Sequence, residues 1–236
     1  MQTLKSFNEY FNNFKEDGLT SKMIESYITG EITYEQFVLD FNQNLNESAG
    51  DFINNMIKKV MTIFKKIKEY LFSNIKKYGK KILNLIVFCF NNLGKFFSKN
   101  RKVFIYITIF LIFMLVISTA VYANTTGDLT SATHVLDAAL GFLTKHADEL
   151  SYTLADIEHA KVLLIQMRDG LITGFDDPSI KQKFNSDAYS IAKSIVNHVS
   201  TETTFEEFFN YWKVGKDLVL EVWKEFANGD FTITIK

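Results

Sequence analysis

The sequence predicts an all-α protein with a single transmembrane helix. A basic amphipathic helix precedes this helix, an N-terminal helical hairpin opens the chain, and an antiparallel four-helix bundle closes it. Proline disfavours helix interiors and occurs once in 236 residues, at Pro178. Apolar residues recur at helical spacing along most of the chain. One stretch, residues 103–123, contains no charged residue, no Pro and no Gly.

Charged residues are sorted by segment, and this sorting marks the predicted domains. Residues 1–57 hold three lysines and nine acids, for a net charge of −6. Residues 58–102 hold thirteen Lys or Arg and one acid, for +12. Residues 103–123 are uncharged, and residues 124–236 hold ten basic and seventeen acidic residues, for −7. We therefore expect an acidic N-terminal helical region, a basic juxtamembrane helix, a transmembrane helix and an acidic helical-bundle domain.

The N-terminal region is predicted to contain a helical hairpin. A first helix ends at Thr29, where Gly30 fits a C-cap position. Thr33 and Gln36 have the spacing of a capping box, which opens a second helix over residues 34–45. The ITGEITYEQF stretch around this turn resembles the short helical hairpin of the SHOCT type through its Gly-x-Ile-Thr-x-x-x-Phe pattern. That resemblance implies a small interaction or oligomerisation element.

The basic segment is predicted to form an amphipathic helix from Ile57 to Phe97, with a break near Gly79 or Gly94. Apolar residues recur every three or four positions, and lysines fill the opposite face. Such a helix fits the surface of an anionic leaflet, with its apolar face in the acyl boundary and its lysines at the phosphates. The predicted membrane-surface residues are Lys58, Lys59, Lys65, Lys66, Lys68, Lys76, Lys77, Lys80, Lys81, Lys99, Arg101 and Lys102.

Other roles fit the same basic segment. Its apolar stripe can pack within the molecule on the acidic residues 1–57. Nucleic acid is the least favoured ligand, because no nucleic-acid-binding motif accompanies the basic residues. Residues 82–90 are apolar nearly all round but too short to cross a bilayer, so a re-entrant piece is an option. The single cysteine, Cys89, excludes an intramolecular disulfide and is interpreted as a small buried hydrophobe rather than a lipidation site.

The uncharged stretch VFIYITIFLIFMLVISTAVYA is predicted to cross a membrane. At 1.5 Å per residue its length is about 32 Å, which matches the hydrocarbon core of a bilayer. Tyr106 and Tyr122 lie near its ends, where amphipathic rings prefer to sit. Basic residues precede the stretch, and Asp128 is the first charge after it. The positive-inside rule then places the N-terminus in the cytoplasm and the C-terminal domain on the opposite side. A core helix of a soluble protein is the less favoured interpretation.

The C-terminal region, residues 128–228, is predicted to form four amphipathic helices. The second ends before Gly170, Pro178 stands at the first position of the third, and a capping box at Thr204 opens the fourth. Short connections between such helices favour an antiparallel bundle of about 100 residues.

No motif in the sequence indicates catalysis. A phosphate loop, a dinucleotide fingerprint, an HExxH motif and a serine elbow are all missing. The four histidines, on separate predicted helices, are interpreted as surface residues, so we expect no enzyme activity, cofactor, metal or small-molecule substrate. They are His134, His146, His159 and His198.

The sequence thus favours a non-catalytic, membrane-anchored interaction or assembly protein that binds an anionic leaflet and a protein partner or a second copy. Abundant Asn, Lys, Ile and Phe are typical of AT-rich genomes, which favours a phage or viral membrane-associated structural protein. Two alternatives stay open. The layout resembles that of phage holins with one span and a large outer domain, which implies lysis through oligomerisation of the span, although the long inner region departs from it. The other alternative is an accessory subunit of a larger membrane complex.

Overall fold

The computed structural model describes residues 18–43, 49–93, 101–150, 154–201 and 209–228. Regular structure within these ranges is helical, with no strand, which confirms the all-α prediction. The helices are α1 (Gly18–Thr29), α2 (Tyr34–Gln43), α3 (Ala49–Ser73), α4 (Ile75–Leu93), α5 (Arg101–Thr126), α6 (Leu129–Lys145), α7 (Ala147–Leu150), α8 (Leu154–Gly174), α9 (Pro178–Thr201) and α10 (Phe209–Asn228). The predicted capping box at Thr204 lies outside the described residues.

The turn between α1 and α2 has the predicted C-cap glycine and one of the two hydrogen bonds of the predicted capping box, because the Gln36 side chain donates to Asp40 at 2.6 Å instead. Gly30 follows α1 with φ of 93°, a conformation that glycine adopts without steric cost. The Thr33 hydroxyl accepts a hydrogen bond from the backbone N–H of Gln36 at 3.2 Å and so begins α2.

The basic segment is broken at Asn74 and not at Gly79, which lies inside α4. The Asn74 carbonyl accepts hydrogen bonds from the N–H groups of Lys77 and Tyr78, at 3.0 and 2.9 Å, and thereby starts the new helix. The Tyr122 ring of α5 occupies the space that a Cβ on Gly79 would take, so a glycine permits this close contact inside α4. The second predicted break, Gly94, lies outside the described residues.

Helix α5 includes the predicted span and extends beyond it, from Arg101 to Thr126. Helices α3, α4, α6, α9 and α10 all pack against it. Of the side chains described from Ile105 to Ala123, only Ile107 is half-buried and the others are buried. We call the five surrounding helices the sheath.

Both halves of the chain contribute to the sheath. From the N-terminal half, the Phe64 ring of α3 meets the Phe110 ring of α5 edge to face, with centroids 4.5 Å apart. From the C-terminal half, Asn185 of α9 exchanges amide hydrogen bonds with Asn124 of α5, at 2.7 and 3.4 Å. The basic segment and the acidic C-terminal region therefore enclose one common helix.

The C-terminal helices α6, α8, α9 and α10 overlap the four predicted ones, and the short α7 between α6 and α8 is not among the predicted helices. Helix α8 runs through Gly170 and ends at Gly174. A Cβ at these positions would lie 3.4 and 3.2 Å from the Ile180 side chain of α9. The glycines therefore permit a close approach of α8 and α9 and do not stop the helix at Gly170.

Asp128 joins the end of α5 to the start of α6. Its carboxylate accepts hydrogen bonds from the Ser131 N–H at 3.1 Å, the Ser131 hydroxyl at 2.7 Å and the Tyr122 hydroxyl at 2.8 Å. The Ser131 bonds, followed by the Tyr122 bond and the charge of Lys80, hold the pKa of Asp128 below its usual value. Asp128 is thus an N-cap for α6 that also fixes a side chain of α5.

Replacement of Asp128 by Ala is expected to lower the free energy of unfolding by about 1 kcal/mol at neutral pH. The folded-state pKa lies below the unfolded value of about 3.9, so the charge-dependent part of this contribution is present above about pH 4. It is lost as the pH falls through the folded-state pKa. Urea unfolding of wild type and Asp128→Ala should therefore show a difference in free energy of unfolding that narrows as the pH falls. A difference that grows toward acid pH would contradict this prediction.

Candidate membrane element and its basic surface

One helical stretch in the described part of the chain, Ile107–Thr126, is long and apolar enough to cross a membrane. It carries no charged residue, and 89% of it is buried by the rest of the protein. Its candidacy rests on length and composition, while its surroundings are protein side chains. The site therefore has two parts: the apolar helix and the helices that cover it.

Lys66 of α3 is a buried member of the predicted basic surface, and it forms two ion pairs. Its ammonium group lies 2.7 Å from a carboxylate oxygen of Glu25 in α1 and 2.9 Å from Glu69. Burial lowers the pKa of Lys66, but the hydrogen bonds to Glu25 and Glu69 outweigh it, so the pKa is raised. Lys66 stays charged and links α1 to α3.

Two further lysines contact the N-terminal helices. Lys81 donates to the Tyr27 and Ile28 carbonyls at the end of α1, at 2.9 and 3.1 Å, where a cation complements the helix dipole. Lys59 is buried, with its ammonium group 5.1 Å from the Phe41 ring centroid, within range of a cation–π contact.

Lys68 of α3 points to the other half of the chain. It pairs with Glu221 of α10 and lies 3.7 Å from Glu225, one turn further along. The Lys68 side chain is 17% exposed, and the two glutamates are 58% and 43% exposed. This ion pair connects the basic segment to the acidic C-terminal region at the protein surface.

The remaining predicted membrane-surface residues fall into two groups: those that are exposed, and those whose side chains the structure does not describe. Lys65, Lys76, Lys77 and Lys80 are exposed, and we call them the outer lysines. They lie on α3 and the first turns of α4. The side chains of Lys58, Arg101 and Lys102 are outside the described ones, and Lys99 lies outside the described residues.

Contacts along the middle of α5 are apolar. The hydroxyls of Thr108, Ser118 and Thr119 are buried, and within the described part of the chain they have no hydrogen-bond partner. Polar contacts to the sheath occur at the C-terminal end of α5, at Asn124 and Tyr122. In the middle of α5 the sheath therefore makes apolar contacts and offers these hydroxyls no hydrogen bonds.

The glutamates that pair with the basic segment were not among the sequence-predicted site residues. Glu25 lies 41 residues before Lys66, and Glu221 and Glu225 lie far along the chain from Lys68. The sequence holds a partial signal, because acidic segments flank the basic one on both sides. Which acid meets which lysine depends on the packing around α5.

The described residues contain neither a cluster that could bind a metal ion nor a reactive thiol. No group of three His, Cys, Asp or Glu side chains there could hold a metal ion. Cys89 is buried in α4, and this burial raises the pKa of its thiol. A protonated, enclosed thiol is poorly reactive.

Comparisons with protein-family models, with curated proteins and with solved structures gave no match. The SHOCT and holin resemblances remain hypotheses on the residues that suggest them.

Proposed function

We propose that this chain is a non-catalytic interaction or assembly protein anchored in a membrane by α5. The observation that carries the proposal is the uncharged stretch of α5, which is long enough to cross the hydrocarbon core. In the anchored protein, the positive-inside rule favours a cytoplasmic N-terminus and a C-terminal region on the opposite side. The outer lysines give the cytoplasmic half a surface for anionic headgroups.

A second candidate follows from the burial of α5. An apolar helix enclosed by helices with charged outer faces also fits the core of a water-soluble protein. A membrane anchor and a core helix make opposite demands on a charge in the middle of α5, so substitution distinguishes them.

Replacement of Leu115 by Arg is expected to release the chain from membranes, because a charge at the centre of a span costs about 3 kcal/mol on insertion. Leu136→Arg is the matched control, since Leu136 is equally buried but lies in α6. Flotation of membranes after alkaline extraction should show wild type and Leu136→Arg floating and Leu115→Arg remaining below. If wild type also stays below, α5 is a core helix and the anchor proposal is wrong.

The interaction role is tested by purifying the tagged chain in mild detergent from its native host and identifying co-purifying proteins by mass spectrometry. Partners in fixed ratio are the expected result. Recovery only as homo-oligomers, together with membrane depolarisation on expression, would contradict it in favour of a holin-like lysis protein. Loss of the chain when its partners are absent would identify an accessory subunit.

A further inference from the structure

The sheathed arrangement and a membrane-inserted α5 exclude each other. In the structure, the described side chains of α5 from Ile105 to Ala123 are enclosed, and the outer faces of the enclosing helices carry exposed charges such as Lys76, Lys193 and Glu221. Charges of this kind are costly in hydrocarbon, so the sheathed protein as a whole does not fit inside a bilayer. Contact of α5 with lipid therefore requires the sheath to separate from it.

The middle of α5 loses no hydrogen bond when lipid replaces the sheath. The Thr108, Ser118 and Thr119 hydroxyls make none to the described residues. Lipid chains are about as apolar as leucine side chains, so this exchange trades one apolar surface for another. Among the described residues, the polar contacts that must break lie at the C-terminal end of α5 and at the surface of the sheath.

Lys66 and Lys68 form ion pairs between α3 and neighbouring helices. On one side Lys66 binds Glu25 of α1, and on the other Lys68 binds Glu221 and Glu225 of α10. The second contact bridges the N-terminal and C-terminal halves of the sheath. Ion pairs with exposed partners are weak, and other ions compete for them.

The outer lysines lie on the same segment as these ion pairs. Lys65 precedes Lys66 directly, and the others lie on α4 just beyond the Asn74 break. An anionic leaflet attracts such a segment and offers phosphate groups to every lysine on it. Headgroups at this surface are thus placed to replace Glu221 and Glu225 as partners of Lys68.

We propose that an anionic lipid surface opens the sheath by competing with Glu221 and Glu225 for Lys68, and so delivers α5 to the bilayer. The inference rests on the proposed function, because it supplies the trigger for the anchoring of α5. In this scheme the Glu221 and Glu225 carboxylates restrain a form of the protein that is compatible with water, and Lys68 changes its partner from protein to lipid.

The test uses the full chain synthesised without lipid or detergent and then mixed with vesicles. The vesicles contain phosphatidylcholine with increasing mole fractions of phosphatidylglycerol, and a lipid with a photoreactive group in its acyl chain. Flotation measures binding, and mass spectrometry of labelled peptides measures contact of residues 105–123 with hydrocarbon. The restraint-free variant is Glu221→Gln with Glu225→Gln, which leaves every lysine in place. Glu158→Gln with Asp176→Asn is the control, because it removes the same charge from exposed residues of α8 and the loop after it.

Labelling of α5 is expected to rise with the phosphatidylglycerol fraction. The fraction needed for half-maximal labelling should be about threefold lower in the restraint-free variant, consistent with the loss of weak ion pairs, and unchanged in the control. Equal labelling in neutral and anionic vesicles by all three proteins would overturn the trigger and leave the anchor proposal standing. The same midpoint for the restraint-free variant and the control would also overturn it. Absence of flotation on every vesicle would overturn the anchor proposal itself.

Discussion

Replacement of Phe113 by Ala is expected to lower the free energy of unfolding of the lipid-free protein by about 3–5 kcal/mol. Phe113 lies in the middle of α5 and is completely enclosed. Removal of its ring would both forfeit the transfer free energy of the buried surface and leave a cavity among packed side chains. Urea unfolding followed by circular dichroism, in buffer without lipid or detergent, measures this loss.

The matched control is Ile172→Ala in α8. Ile172 is a large apolar residue that is 64% exposed, so its truncation should change the free energy of unfolding by no more than about 0.5 kcal/mol. A Phe113→Ala protein as stable as wild type would contradict the enclosed position of α5. It would agree with a helix whose side chains face outward, as in a lone span.

Local signals in the sequence predict several helix ends. Gly30 ends α1 with a positive φ, and Pro178 is the first residue of α9. These predictions succeed because caps depend on residues a few positions apart. The long uncharged stretch likewise predicts α5, because no other helix in the described residues is both long and apolar enough to cross a membrane.

The surroundings of α5 do not follow from its composition. An apolar surface is satisfied by lipid chains and by apolar side chains alike, so hydropathy alone does not determine which one covers Phe113 or Leu115. The structure shows that helices from both halves of the chain pack on α5, where Phe113 and Leu115 are buried. Which of these stripes face α5, and at what depth, depends on contacts between residues far apart in sequence.

The lysine face shows the same limit. The sequence-based prediction assigns Lys66, Lys68 and Lys76 alike to the polar face of one helix, but residues two positions apart, such as Lys66 and Lys68, do not share a helix face. In the structure Lys66 lies between two glutamates, Lys68 reaches α10 and Lys76 is exposed. Partner choice is set by how α1 and α10 pack on α3. Periodicity within the basic segment carries no information about that packing.

Of the two predicted breaks in the basic segment, the one at Gly79 is wrong, because a contact from another helix acts at this residue. Glycine weakens a helix by about 1 kcal/mol relative to alanine, which made Gly79 the expected break. Tertiary contact reverses this preference, since the Tyr122 ring occupies the space where a side chain would lie. Asn74 instead starts the new helix through its carbonyl.

Replacement of Gly79 by Ala is therefore expected to destabilise the protein, although alanine is the better helix former. A Cβ at position 79 would lie 2.6 Å from Cε2 of Tyr122 and 3.1 Å from Cδ1 of Ile75. The ring has little freedom to withdraw, because its hydroxyl is hydrogen-bonded to Asp128. Overpacking of this kind costs about 1–3 kcal/mol. Replacement of glycine by alanine gains about 1 kcal/mol of helix propensity, so the cost exceeds the gain over most of that energy range.

Gly141→Ala provides the control with opposite sign. Gly141 lies inside α6, is exposed, and has no atom within 4 Å of the position that a Cβ would take. The same substitution there should raise the free energy of unfolding by about 0.5–1 kcal/mol. Stabilisation by both substitutions in urea unfolding would contradict the close contact of α4 with α5. Opposite signs would place Gly79 against Tyr122 in solution, because only a packed neighbour turns the helix propensity of alanine into a loss.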